Sequence, residues 1–133
     1  MILLDTHCLV WFAEDVPRLG RRATRLAEAA LGRSELCVSA IVFWELAMLA
    51  SKGRLRLRRA PEAIRLATLE RGIREIVVTG EIGIEAAGLS ALHGDPADRI
   101  IAATALVAGA GLMTADERLL SWRGGAKVID ARH

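Results

Sequence analysis

Four acidic side chains stand in largely apolar surroundings, and they are the residues of this sequence best suited to chemistry. Asp5 ends an apolar N-terminal run, and Glu45 lies among apolar residues of a predicted helix. Asp98 falls in the first turn of another predicted helix, and Asp116 follows a short apolar run. Clustered carboxylates raise each other's pKa unless a cation holds them. Oxygen ligands without His or Cys favour a hard ion such as Mg²⁺ or Mn²⁺, which can activate water beside a phosphate.

Each acid also has a structural explanation, which stays open at this point. Asp5 and Asp116 could cap the helices that follow them, and Asp98 could favour its helix through the macrodipole. Glu45 could occupy the single exposed stripe of its helix. Asp95 is expected to be an N-cap only and not a metal ligand. The acids indicate a metal site only if the fold brings them together.

Alternating strands and helices are the elements that must position these acids. Short apolar runs predict strands at 1–4, 36–38, 76–79, 112–113 and 127–129. Helical patterns lie between them, including 40–51, 61–70, 81–92 and a buried helix that starts after Asp95. This alternation predicts a mostly parallel sheet that is covered on both faces. Ligands collect beyond the carboxyl ends of such strands, where both Asp5 and Asp116 fall.

Length and composition predict one domain, residues 1–133, with a sizeable core. Hydrophobic residues make up 53% and charged residues 26%, so disorder is not expected. No apolar run reaches the roughly 18–20 residues of a membrane span, and no signal peptide or membrane partner is expected. Cys8 and Cys37 lie in apolar surroundings without metal-ligand spacing, which favours buried reduced thiols in a cytoplasmic protein.

Basic residues are clustered although the net charge is only +2. One group lies within 18–25, and a second within 52–59 includes Arg54 and Arg56. Arginine forks fit phosphate oxygens, so these groups could hold a nucleic-acid backbone if they flank an acidic centre. Arg99, next to Asp98, is a further candidate for substrate contact. The alternative for the charge runs is a solvated surface.

Six short motifs follow one another along the whole chain. They are Leu3-Leu-Asp5-Thr6, Ser39 with Glu45-Leu46, Lys52-Gly-Arg-Leu55, His93-Gly-Asp-Pro-Ala-Asp98-Arg99, Ile101-Ala-Ala-Thr-Ala105 and Leu112-Met-Thr114-Ala-Asp116. In this order they resemble the PIN domain family, and more narrowly the VapC-type ribonuclease toxins of bacterial toxin–antitoxin pairs. One departure is Ala97, where that subgroup often has Phe.

The resemblance implies a Rossmann-like three-layer α/β/α sandwich and a Mg²⁺- or Mn²⁺-dependent endoribonuclease. Three carboxylates would be metal ligands: Asp5, Asp98 and Asp116. Glu45 would belong to the same catalytic acidic cluster, often acting through water. Thr6 and Thr114 would support the ligands or the attacking water. Metal-bound water would then cleave an RNA phosphodiester without a side-chain nucleophile.

Partners are also implied by the resemblance. They are the RNA substrate, a small cognate antitoxin that inhibits the activity and, commonly, a second copy in a homodimer. Large apolar side chains at Trp11, Phe12, Phe43 and Trp44 could form a groove for an amphipathic antitoxin segment, unless all four belong to the core.

Three other readings compete with the metal-dependent ribonuclease. A phosphatase of the haloacid dehalogenase type also begins with an apolar strand and Asp, but His7 takes the place of its second acid. A PIN-like module that binds RNA or protein without cutting stays open, as does a nuclease that acts on DNA. His7, His93 and His133 are expected to be bystanders in the nuclease reading.

Overall fold

Five strands and seven helices build the chain, and the computed structural model describes all residues from 1 to 133. In chain order they are β1 (Ile2–Leu4), α1 (Thr6–Ala13), α2 (Arg21–Gly32), β2 (Leu36–Ser39), α3 (Ile41–Ser51), α4 (Pro61–Glu70), β3 (Arg74–Ile76), α5 (Gly80–Ala87), α6 (Pro96–Ala108), β4 (Gly111–Thr114), α7 (Glu117–Leu120) and β5 (Val128–Asp130).

The strands form one parallel sheet in the order β3-β2-β1-β4-β5. Leu3 of β1 lies opposite Cys37 of β2 on one side and Leu112 of β4 on the other. The chain builds the sheet outward from β1 in one direction and then in the other, so the strand order reverses between β1 and β4. This architecture confirms the predicted α/β sandwich, and the reversal marks the edge where parallel sheets bind ligands.

The central strands are apolar except at their carboxyl ends, where Ser39 and Thr114 lie, because both faces of the sheet are covered. Leu3, Leu4, Val38 and Leu112 are completely buried. The covering layers include α6, whose residues 101–105 are all buried. Alanines dominate that stretch, so the helix backbone can approach its neighbours closely. The sequence predicted this buried helix.

Helix α6 begins and ends as its sequence predicts. Asp95 caps it, Pro96 occupies the first helical position, and Gly109 ends it with a left-handed φ of 66°. Asp98 is therefore held in the first turn, where its position relative to the sheet is fixed by the cap. Neither this helix nor any other is long and apolar enough to span a membrane.

Two predicted elements, the strand 76–79 and the helix 81–92, have wrong boundaries, and the observed β3 (Arg74–Ile76) shares only Ile76 with the predicted strand. The strand ends at Ile76 because its partner β2 ends at Ser39, which lies opposite. Val77 and Val78, predicted inside the strand, are exposed. Helix α5 stops at Ala87, five residues before the predicted end, because Gly88 caps it and the Arg99 side chain binds its last carbonyls.

Ser39 lies at the junction of β2 and α3. It ends β2, Ala40 takes the N-cap position of α3, and the Ser39 hydroxyl accepts the Ile41 N–H at 3.3 Å. The basic stretch 54–58 is an irregular connector. Cys8 and Cys37 are buried free thiols, as predicted.

Candidate active site

A pocket of about 360 Å³ opens beyond the carboxyl ends of β1 and β4. All four predicted catalytic acids line it: Asp5, Glu45, Asp98 and Asp116. They arrive on separate elements, because Asp5 follows β1, Asp116 follows β4, and the other two lie in α3 and α6. The structure thus brings four carboxylates that are distant in sequence to one pocket, although the acidic group with oxygens within 4.8 Å of one another includes Glu45 and Asp98 and neither Asp5 nor Asp116.

Asp5 is the most enclosed of these acids, with 6% of its surface exposed. Its Oδ1 accepts the Cys8 N–H at 2.9 Å, so it caps α1, and its Oδ2 accepts the Thr114 hydroxyl at 2.5 Å. Burial raises the pKa of Asp5 more than these hydrogen bonds lower it. Asp5 therefore caps α1 and also lines the acidic pocket.

Two threonines hold carboxylates at the predicted positions. The Thr114 hydroxyl donates to Asp5 and accepts the Asp116 N–H at 3.0 Å, so it joins the ends of β1 and β4. The Thr6 hydroxyl donates to Glu45 Oε1. Burial, together with the charges of nearby acids, raises the pKa of Glu45 despite this hydrogen bond.

Asp95 lies inside the acidic group, although the sequence predicts only an N-cap at this position. Its Oδ1 does cap α6 by accepting the Asp98 N–H at 3.2 Å. Carboxylate oxygens of Asp95, Glu45 and Asp98 also lie within 4.8 Å of one another, as metal ligands would. Burial first, and then the charges of Asp95 and Asp116, raise the pKa of Asp98.

His93 contacts the site, contrary to its expected role as a bystander. Its Nε2 lies 2.9 Å from Asp98 Oδ2, and this hydrogen bond partly offsets the effect of burial on the pKa of Asp98. Its Nδ1 is buried without a hydrogen-bond partner. At this distance an Nε2–H can donate to the carboxylate. The only signal in the sequence was the spacing of five residues before Asp98.

Arg99 does not have the geometry expected for substrate contact. Its guanidinium donates to four backbone carbonyls of the segment before α6: Ala86, Ala87, Leu92 and His93. All three nitrogens of the guanidinium donate to carbonyls, so no edge of it has both N–H donors free for a phosphate. Arg99 instead ties the segment that carries His93 to the first turn of α6.

Arg118 is a site residue that the sequence reasoning missed. Its Nη2 lies 3.3 Å from Asp116 Oδ2 and 3.9 Å from Asp98 Oδ2, so one positive group stands between two carboxylates. Burial alone would raise the pKa of Asp116, but hydrogen bonds from the Arg118 side chain and from two backbone N–H groups bring it below the ordinary value. The side chain is 58% exposed.

The predicted basic segment follows α3 directly, and Leu49 near the end of that helix lines the acidic pocket. Arg54 and Arg56 are exposed, and neither forms an ion pair within 4.0 Å. Arg58 is bound to the buried Glu14, whose Oε1 accepts the Arg58 N–H at 3.1 Å. Glu14 thus ties one end of the segment to α1 and leaves the other two arginines available.

The four large aromatic residues do not form one groove. Phe12 is buried, Phe43 is half-buried, and Trp44 is 55% exposed. Trp11 and Phe12 line a cleft of about 190 Å³ beside α2, which neither of the other two reaches. The structure therefore divides the predicted docking surface into separate places.

The pocket has the ligand set that a hard divalent cation requires. Five carboxylates line it, and Arg118 is the only Lys or Arg among the lining residues. Three of these carboxylates, Asp5, Glu45 and Asp98, have raised pKa values. Oxygen ligands with uncompensated negative charge fit a metal ion of this class.

Known proteins are similar to this chain in sequence and in fold. A sequence model described as the PIN domain matches residues 2–123. The chain is 39% identical over 123 residues to Ribonuclease VapC22 of Mycobacterium tuberculosis (strain ATCC 25618 / H37Rv), covering 92% of each sequence. A toxin–antitoxin complex from Klebsiella pneumoniae contains a chain with a TM-score of 0.65 at 20% identity, covering 98% of both chains. A chain of VapBC2 from Rickettsia felis, solved bound to a DNA fragment from the promoter, has a TM-score of 0.72 at 19% identity. The match covers 97% of this chain and 98% of that chain.

Proposed function

Because this chain belongs to the PIN domain family, we propose that it is a metal-dependent endoribonuclease, with residues 1–133 acting as a single domain. The observation that carries the proposal is the convergence of five carboxylates in one pocket at the carboxyl ends of β1 and β4. A curated relative that is 39% identical bears the name ribonuclease, which supports RNA as the substrate class.

In this proposal Asp5, Asp98 and Asp116 hold Mg²⁺ or Mn²⁺. Arg118 Nη2 supports the arrangement, because one positive atom already lies between the Oδ2 atoms of Asp98 and Asp116. A divalent cation there would compensate the same two carboxylates and release the arginine. Each Asp5 oxygen accepts one hydrogen bond and keeps a second lone pair for a ligand. Asp95 adds negative charge beside Asp98.

When bound, the ion would activate a water molecule and neutralise charge on the cleaved phosphodiester, leaving a 5′-phosphate and a 3′-hydroxyl. Glu45 is suited to take the proton from that water, because its raised pKa makes it a stronger base than an ordinary glutamate. The Thr6 hydroxyl fixes the orientation of Glu45 Oε1. Thr114 fixes Asp5 in the same way.

The RNA backbone would be held by arginines around the pocket. Arg118, once released from the carboxylates, can reach a phosphate at the pocket itself. Arg54 and Arg56 are exposed and unpaired on the segment that follows α3, so they are suited to phosphates farther along the strand. Arg99 is less suited to this binding, because backbone carbonyls accept hydrogen bonds from four of its five N–H donors.

A small cognate antitoxin is the proposed protein partner. The support is the VapC name of the curated relative and the toxin–antitoxin complex among proteins of the same fold. A homodimer is proposed as well, on the resemblance to this family. We expect a co-expressed antitoxin to copurify with the chain and to suppress cleavage; cleavage that is unchanged in the copurified complex would contradict this part.

The direct test is cleavage of structured RNA by the purified chain with Mn²⁺, with EDTA, and as the Asp98→Asn variant. Cleavage with Mn²⁺ and none in the other two samples is expected. Asp130→Asn is a matched control, because Asp130 ends β5 at the same edge of the sheet, pairs with Arg132 and does not line the pocket. Cleavage that persists in EDTA and in Asp98→Asn would refute the metal mechanism.

Two alternatives are decided by the same assay. Binding of RNA without cleavage under any divalent ion would favour a non-catalytic PIN-like module. Cleavage of single-stranded DNA at least as fast as RNA would favour a DNA-acting nuclease.

A further inference from the structure

Two aromatic side chains line the acidic pocket and have no part in holding an ion. His7 and Trp11 lie four residues apart on α1, so they are neighbours on one face of the helix. Their ring centroids are 6.1 Å apart, and the ring planes are inclined by 54°. His7 directly follows Asp5 and Thr6 in the chain, so the two aromatic side chains line the pocket next to its carboxylates.

Neither ring is fully buried. His7 is exposed, and Trp11 is half-buried and packs in part against the core, whereas Phe12 beside it is buried. No side-chain hydrogen bond holds the His7 imidazole in the structure. His7 and the exposed part of Trp11 thus offer an aromatic surface at the polar pocket.

We infer that His7 and Trp11 form a stacking subsite for one unpaired nucleobase of the RNA whose scissile phosphate lies at the acidic pocket. The inference rests on the proposed nuclease function, and it adds the form of the substrate: a strand with at least one unstacked base beside the cleaved bond. Every base presents a π face, so the subsite would tolerate different sequences.

Bases in a duplex stack on one another, so their faces are unavailable, whereas unpaired bases can turn out and stack on aromatic side chains. The pocket also carries five carboxylates, so its occupant must not add negative charge near the aromatic rings. A nucleobase is neutral and fits this requirement, while the ion and Arg118 meet the phosphate.

The first experiment measures cleavage kinetics of the full chain with Mn²⁺ on a mixed-sequence, single-stranded RNA dodecamer. The variants are Trp11→Leu, Trp11→Phe and Trp44→Leu, each checked for an unchanged far-ultraviolet spectrum and melting temperature. Trp44 is the matched control, because it is exposed on α3 and does not line the pocket. Trp11→Leu should raise KM on the order of tenfold to a hundredfold with a smaller change in kcat. Trp11→Phe should restore most of the loss, and Trp44→Leu should match the wild type.

The second experiment removes single bases from the same dodecamer to identify the stacked nucleotide. One abasic position beside the cleavage site should raise KM for the wild type and cause no further rise for Trp11→Leu. Independent, multiplying effects of the two changes would overturn the inference. The dodecamer annealed to its complement should be cleaved much more slowly; equal rates on the duplex would also overturn it.

The outcomes separate this inference from the proposed function. If the wild type cleaves no RNA, the nuclease proposal and the subsite both fall. If Trp11→Leu cleaves with an unchanged KM, only the subsite falls. If Trp11→Leu keeps its KM but loses a copurifying small protein, Trp11 belongs to a protein interface and the subsite is refuted.

Discussion

The carboxyl ends of β1 and β4 both present an aspartate that caps the next helix, yet the two aspartates have opposite electrostatic surroundings. Asp5 after β1 is buried, accepts only neutral hydrogen bonds, and has a raised pKa. Asp116 after β4 is partly exposed, pairs with Arg118, and has a lowered pKa. Asp5 forms no ion pair, whereas Asp116 is paired with the exposed guanidinium of Arg118.

The difference indicates how a metal site can fold without its metal. Thr114 connects the two ends, because it donates to Asp5 and accepts the Asp116 N–H. We call the surroundings of Asp5, which consist of buried groups and hydrogen bonds, the rigid side of the site. The surroundings of Asp116, where an exposed arginine supplies the positive charge, are the adaptable side. A divalent ion would supply the missing charge to the first side and displace the arginine on the second.

The largest effect is expected from the rigid side. Asp5→Asn keeps the shape of the cap but removes the negative charge and turns one oxygen into a donor that faces the Thr114 hydroxyl. Loss of a partner that orients a ligand costs about 10- to 100-fold in activity, so loss of a ligand should cost more than a hundredfold. RNA cleavage with saturating Mn²⁺ is the measurement, and activity above a tenth of the wild type would contradict this account.

Thr114→Val should be the next most damaging change. It preserves the shape of the side chain but removes the hydroxyl that connects the two aspartates, so about 10- to 100-fold of activity should be lost. Thr68→Val is the matched control, because that buried hydroxyl bonds only to the Ile64 carbonyl within α4. Similar losses for both variants would show that the effect is one of general stability.

The sequence predicted the gathering of Asp5, Glu45, Asp98 and Asp116 because periodicity determines which strands and helices exist. Parallel strands place their carboxyl ends at one edge, and the chain order then brings the acids to that edge. Caps were also predictable, since they depend on a few neighbouring residues. The end of β3 was not, because it depends on where the partner strand β2 stops.

Side chains with several possible partners were the part that sequence could not predict. Asp95 was read correctly as a cap, but its approach to Glu45 depends on how α3 packs against α6. His93 lies in the loop before α6, whereas Arg99 and Arg118 lie in helices, and all three contact partners that no periodic signal in the sequence predicts. Arg99 illustrates the difficulty, because an arginine beside an acidic site fits phosphate as well as it fits backbone carbonyls.

A smaller effect is expected from a change at Arg118 on the adaptable side, and it should have opposite signs for the binding of Mn²⁺ and of RNA. Arg118→Ala removes the positive group between Asp98 and Asp116, so Mn²⁺ should bind a few-fold more tightly while the KM for RNA rises a few-fold. Arg33→Ala is the control, because Arg33 is also 58% exposed and also lies 3.3 Å from a carboxylate, that of Glu35. Calorimetry and cleavage kinetics would measure both. Weaker Mn²⁺ binding by Arg118→Ala would contradict the proposed exchange.

The smallest effect concerns pH. Burial raises the pKa of Asp5, Glu45 and Asp98, so the folded, metal-free chain holds more protons than the unfolded chain at mildly acidic pH. The stability contribution of these groups therefore falls as pH rises from the unfolded carboxyl values of about 4 through the raised folded values. Mn²⁺ should offset this loss of stability, because it compensates the ionised carboxylates. It should therefore raise the melting temperature more at pH 7.5 than at pH 5. An equal or larger rise at pH 5 would contradict the assignment.

The position of a bound ion tests the central claim most directly. Crystals of the full chain soaked in Mn²⁺ and measured at a wavelength where manganese scatters anomalously would locate it. The account predicts one strong peak in the pocket, with oxygens of Asp5, Asp98 and Asp116 around it and Arg118 turned away. A peak bound by Glu45 and Asp95 without Asp5 and Asp116, or no peak in the pocket at all, would contradict it.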